Sequence, residues 1–120
     1  MLRIRELQLA ALKMSASSRL ADSLVKHVAE CFPLHAQTLG AARTRVLVEA
    51  IVARAAELQL TTEHDVCELV NLTLVLGDQF ERDPRFEWAT AVLRDTSVAG
   101  TARMRELRRR TIEYLSGAKL

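Results

Sequence analysis

The sequence predicts an all-α fold, a single-domain bundle of about five helices around a central apolar helix at 62–77. Three observations predict it. Alanine, leucine and arginine dominate the chain, and all three favour helices over sheets. Four glycines and two prolines leave little room for the frequent turns of an all-β fold. Apolar residues recur at helical spacing through most of the 120 residues.

The first predicted helix covers 3–13, with Ile4, Leu7, Ala11 and Met14 on one side. The run Ser15-Ala16-Ser17-Ser18 is weak for a helix interior, so either a kink or one long bent helix is expected. Leu20, Leu24, Val28, Cys31 and Phe32 continue the stripe until Pro33 stops it. A short helical turn at 34–39 ends at Gly40, and a long helix follows at about 41–59. Its centre, Val46 to Val52, is apolar enough to predict burial on two sides.

The stretch 61–93 organises the rest. Thr62 is placed as an N-cap whose hydroxyl accepts from the amide of Asp65, while Glu63 and Asp65 put negative charge at the positive end of the helix dipole. Val66, Leu69, Val70, Thr73 and Leu74 form one apolar stripe, and Leu72, Val75 and Leu76 widen it over the last two turns. A helix apolar on nearly all sides needs several neighbours, which places it at the centre. Gly77 terminates it in the left-handed conformation. The loop 78–84 is expected to be ordered, with Phe80 turned inward. Asp83-Pro84 reads as cap and first helical residue of a short helix carrying Phe86, Trp88, Ala89, Val92 and Leu93. After a loop with Thr96, Ser97 and Gly100, the last helix covers about 101–115. Met104, Leu107, Thr111, Ile112 and Leu115 are expected to face inward, and Arg103, Arg105, Arg108, Arg109 and Arg110 outward. Residues 116–120 are expected to fray.

Length and composition bound the function. One domain, 1–120, is long enough to bury a core without disulfides. A formal charge of +2 is too small to point to nucleic acid or a membrane as partner. Glu6 and Lys13 interrupt any secretory h-region, and no apolar run reaches the roughly 20 residues needed to span a bilayer. The two cysteines, Cys31 and Cys67, fall within helices, so free buried thiols in a reducing cytoplasm are expected.

Each candidate chemistry has a plainer explanation. His27-x3-Cys31-x3-His35 has one-turn spacing suited to zinc, but Pro33 ends the helix before His35 aligns, and no fourth ligand is indicated; no metal or cofactor is expected. His64 with Cys67 resembles a nucleophile and base without an oxyanion hole. Asp78, Glu81 and Asp83 lack the alternating ligands and central glycine of an EF-hand, so loop stabilisation and capping are expected. The arginines of the last helix spread around its circumference without interleaved aromatics, which suits a solvated face or a patch for an acidic partner better than nucleic acid. An enzyme is therefore not expected. Phe86, Arg105, Arg108 and Arg109 are the candidate partner-binding residues; Trp88 is assigned to the core. Self-association through the second helix is a further option, because Val48 and Val52 exceed what one small core covers.

The pattern Leu60-Thr61-Thr62-Glu63-x-Asp65-Val66, followed by Leu76-Gly77-x-x-Phe80-x-x-Asp83-Pro84-x-x-x-Trp88-Ala89-x-x-Val92-Leu93, resembles small helical proteins of bacterial type VI secretion clusters. Ile4-Arg5-x-x-Gln8 and Phe32-Pro33 extend the resemblance over most of the chain, and the Gly77-to-Ala89 spacing is its most specific part. The resemblance implies an accessory or co-chaperone that binds an adaptor, effector or spike component in the cytoplasm before secretion. The alternatives are an immunity protein neutralising a cognate toxin and a nucleic-acid-binding regulator.

Overall fold

The computed structural model describes residues 4–117, and for residues 4–16 the side chain of Gln8 alone. The side chains of Ile4, Leu7, Ala11 and Met14 of the expected inward stripe and of Arg5, and residues 118–120 of the expected frayed end, therefore lie outside what is described. The fold is all-α: α1 (Ile4–Cys31), α2 (Pro33–Glu57), α3 (Glu63–Leu76), α4 (Glu87–Arg94) and α5 (Gly100–Leu115), with two 3-10 turns at Phe80–Arg82 and Pro84–Phe86. No strand occurs among the described residues. They form two compact units, Met1–Val52 and Ala53–Leu120, whose boundary falls inside α2.

In the first unit, α1 runs unbroken through Ser15–Ser18, the second of the two sequence alternatives. Its described buried positions, Ala21, Leu24 and Val28, recur at helical spacing, and α2 buries Thr44, Val48 and Ile51 in the same way. Asp22 and Arg45 tie the two helices at the surface with a 2.5 Å ion pair. Pro33 both stops α1 and occupies the first position of α2, where its missing N–H is not needed. Gly40 then breaks the helical path at φ 78°, ψ 163°, a conformation a side chain would strain. Thr44 donates to the Gly40 carbonyl at 2.8 Å, one turn beyond that break.

Two expectations are corrected here. The centre of α2 is buried on one side and not two, for Val46 is 67% exposed while Val48 is fully enclosed. Cys31 is exposed and not in the core, because it sits in the last turn of α1 just before Pro33, past the final buried position, Val28.

The second unit opens with the end of α2, which closes without glycine. Gln59 takes φ 62°, and the amides of Leu60 and Gln59 donate to the carbonyls of Ala55 and Ala56 at 3.0 and 3.1 Å. This pairing satisfies the last carbonyls of the helix. Thr62 then caps α3 as expected, its hydroxyl accepting from the Asp65 amide at 3.1 Å. All of Val66, Leu69, Val70, Leu72, Thr73, Leu74 and Leu76 are buried; Val75, at 38% exposure, is the outward member of the last turns. Gly77 ends α3 at φ 110°, ψ 151°. Its φ is positive as expected, but its ψ is extended, so the chain leaves straight into the loop instead of curling back.

That loop is rigid for identifiable reasons. Phe80 is buried, and Asp83 accepts from the Arg85 amide at 3.0 Å as the cap before Pro84. Glu81 receives Arg54 in a two-pronged pair at 2.6 and 3.0 Å and Arg94 at 3.3 Å. The hydrogen bond from Arg54 holds its carboxyl below the usual value of 4.5, with Arg94 adding to the effect. A depressed carboxyl adds stability that is complete above 4.5 and disappears as pH falls through the lower folded value. Glu81→Gln is therefore expected to lower unfolding free energy by about 1–2 kcal/mol at neutral pH. In urea melts, the gap from wild type should narrow as the pH drops below 4.5; a gap that widens in acid contradicts the assignment.

Candidate functional site

The site is assembled on α5, which one buried arginine ties to three other segments. Arg103, expected on the outside, is 2% exposed. Its guanidinium donates to three backbone carbonyls: Val98 at 2.9 Å, Leu93 at 2.7 Å and Leu58 at 2.9 Å. These are carbonyls at the end of α4, in the following loop and at the end of α2, where helices leave acceptors without partners. Gly100 permits the approach, because a Cβ there would lie 3.0 Å from Leu60 Cδ2 and 3.5 Å from the Gln59 carbonyl. Thr101 adds a 2.8 Å hydrogen bond to the Asp65 carboxylate, itself 2% exposed. Asp65 thus joins the starts of α3 and α5 besides standing in the capped first turn.

Met104, Leu107 and Thr111 are buried along with Arg103 and define the inner face. Ile112 and Leu115, expected to face inward, are 57% and 59% exposed. Ile112 lies about 140 degrees around the helix from Leu107, near the middle of the buried stripe, which takes it off the inner face. Leu115 is at the end of α5, with no buried residue of the helix beyond Thr111. Tyr114 is 45% exposed. One turn of helix therefore presents three large apolar or aromatic side chains to solvent. Sequence reasoning missed Tyr114 altogether; its position past the last inward leucine of a helix was the available signal.

Tyr114 belongs to an aromatic cluster. Its ring meets Phe86 edge-on at 5.5 Å and Trp88 at 6.1 Å, and Arg85 lies over the Phe86 ring at 5.3 Å. Phe86 is 4% exposed, which removes it from the candidate partner-binding residues: it is enclosed and supports the other two rings. Trp88 is half-buried, so part of its ring is at the surface.

The outer arginines differ in how far their charges are answered. Arg109 is held by Glu106 at 2.8 Å and by Glu113, and Arg110 by Glu106 at 2.7 Å. The two arginines lower the Glu106 carboxyl below its usual value, and pairing with Glu106 raises Arg109. Arg109 is thus paired within its own helix while its side chain stays 55% exposed. Arg108 reaches Glu68 of α3 at 3.3 Å while remaining 64% exposed. Arg105 is exposed and has no ion pair or hydrogen bond to another side chain among the described residues.

The remaining candidates do not converge. His27 Nδ1 lies 3.7 Å from Cys31 Sγ, but His35 meets the edge of Phe32 instead. His64 Nε2 is 3.8 Å from Glu68 Oε1, one turn further along α3. Among the described residues no three His, Cys, Asp or Glu side chains group as a metal site, and no helix is long and apolar enough to cross a membrane. Comparison with protein-family models, curated proteins and solved structures returns no match.

Proposed function

We propose that the protein is a non-catalytic protein-binding module. The observation that carries this reading is the exposed end of α5, where Ile112 and Leu115, 57% and 59% exposed, share one side of the helix and Tyr114, 45% exposed, stands on the other beside Trp88. Large apolar and aromatic side chains held on a rigid element are what a stable interface needs, since ordering them on binding then costs little further entropy. Trp88 beside Tyr114 adds a second residue of the type that dominates interface energies.

We further propose that the setting is loading of a type VI secretion effector or spike component, as an accessory or co-chaperone in the cytoplasm. What supports the setting is the sequence pattern from Gly77 through Phe80, Asp83 and Pro84 to Trp88 and Ala89. Co-expression with adaptor, effector and spike proteins of such a cluster tests both parts. A complex that co-elutes on size-exclusion chromatography at micromolar concentration, and is lost in Ile112→Asp, is the expected result. Separate elution from every one of them removes the secretion setting, and a complex indifferent to Ile112→Asp removes the surface.

A further inference from the structure

Along α5, the exposed residues Arg105, Arg108, Ile112 and Leu115 are separated by three, four and three positions. That is the a/d spacing at which one helix presents a seam to another. The inner face is a separate stripe, Arg103, Met104, Leu107 and Thr111, already buried. So α5 carries two faces at helix-packing spacing, one filled and one open. The open seam is divided along its length: basic in its first half and apolar in its second.

The helix alongside reinforces this division. Asp65 contacts Thr101 and Glu68 contacts Arg108, so α3 and α5 run in the same direction. Seven residues beyond Glu68, on the same side of α3, stands Val75, 38% exposed. Val75 thus adds an exposed apolar side chain on the face of α3 that carries Glu68, while the basic half of the seam keeps Arg105 unanswered.

We infer that this seam binds an amphipathic helix of a partner protein, acidic at one end and apolar at the other. The inference rests on the protein-binding reading and names the partner's chemistry. Charge decides among occupants. A second copy of the seam fits badly: paired parallel, it sets arginine against arginine, and paired antiparallel, it sets Arg105 against Leu115 and Arg108 against Ile112. Either arrangement buries a guanidinium without a partner, which is strongly unfavourable. Nucleic acid would leave Ile112 and Leu115 without contacts and bring Glu68 toward phosphate. A helix with Glu or Asp opposite Arg105 and Arg108 and Leu or Ile opposite Ile112 and Leu115 satisfies both halves.

The test uses two labelled synthetic helical peptides of three heptads, one with glutamates followed by leucines on its binding stripe, the other with lysines replacing the glutamates. Fluorescence anisotropy against the full chain is expected to show the acidic peptide bound at least about tenfold tighter than the lysine peptide. Arg105→Glu should reverse that order, and Arg105→Ala should weaken the acidic peptide with little effect on folding, as the residue is exposed and has no ion pair or hydrogen bond to another side chain among the described residues. Equal binding of both peptides, or preference for the lysine peptide, overturns the inference. If neither peptide binds but a co-expressed complex forms and survives Arg105→Glu, the acidic-helix inference fails while the protein-binding reading stands. If neither peptide nor any co-expressed protein binds, both fail. Self-association in analytical ultracentrifugation that Ile112→Asp abolishes would assign the seam to a second copy and also overturn the inference.

Discussion

Arg103→Met should destabilise the protein by about 3–5 kcal/mol, a large part of the total stability of a domain this size. Methionine retains much of the aliphatic length of the side chain but no donor. The carbonyls of Leu58, Leu93 and Val98 would lose their shared partner, two of those hydrogen bonds being buried. A buried acceptor without a donor loses its water and receives nothing in exchange. Arg103→Lys should recover only part of the loss, because one ammonium cannot span three carbonyls that a planar fork reaches together. Urea denaturation followed by circular dichroism measures both variants. A loss below about 1 kcal/mol for methionine would mean that the three carbonyls find other partners.

Phe86→Ala has the second largest expected effect, about 3–5 kcal/mol, from lost burial and the cavity left behind. The ring is 4% exposed and stands edge-on to both Tyr114 and Trp88, with centroids 5.5 and 6.4 Å away. Its removal withdraws the support that holds those two rings at the surface. Thermal melts should therefore show a marked fall in Tm, accompanied by altered Trp88 fluorescence. Affinity for a partner, measured well below the melting range, separates this role from direct contact: Trp88→Ala or Tyr114→Ala should weaken binding with a much smaller loss of stability. A Phe86→Ala variant of unchanged Tm would return Phe86 to the surface and reverse its assignment.

Helix positions were readable because their signals are local. Thr62 caps α3 through an amide three residues away, and Asp83-Pro84 starts a turn whose partners lie within two residues. Pro33 and Gly40 interrupt the chain through their own backbone geometry. The end of α2 was placed almost correctly, yet its mechanism was hidden: Gln59 adopts a positive φ that glycine usually supplies. The site was less legible. Arg105 and Arg108 were identified by residue type and are exposed, but Arg109 is taken up by Glu106 and Glu113 of its own helix. Leu115 was assigned inward because periodicity cannot tell where along a helix its neighbours stop covering it, and Ile112 because its apolar type outweighed its place off the stripe of Arg103, Leu107 and Thr111.

By itself the sequence determined that the chain is helical, where α3 and α5 lie, and that α3 would be buried on most of its circumference. Those properties follow from backbone preference, capping and apolar spacing, which act over a few residues. Only the tertiary structure decided that Arg103 of α5 is buried. An arginine reads as a surface residue until backbone carbonyls from distant segments, here Leu58, Leu93 and Val98, converge to receive it. Met104, Leu107 and Thr111 face inward as their spacing predicts and Arg103 joins them, which leaves Arg105, Arg108, Ile112 and Leu115 exposed. The apolar stripe orients the helix, and the long-range hydrogen bonds of Arg103 are the part that no local pattern encodes.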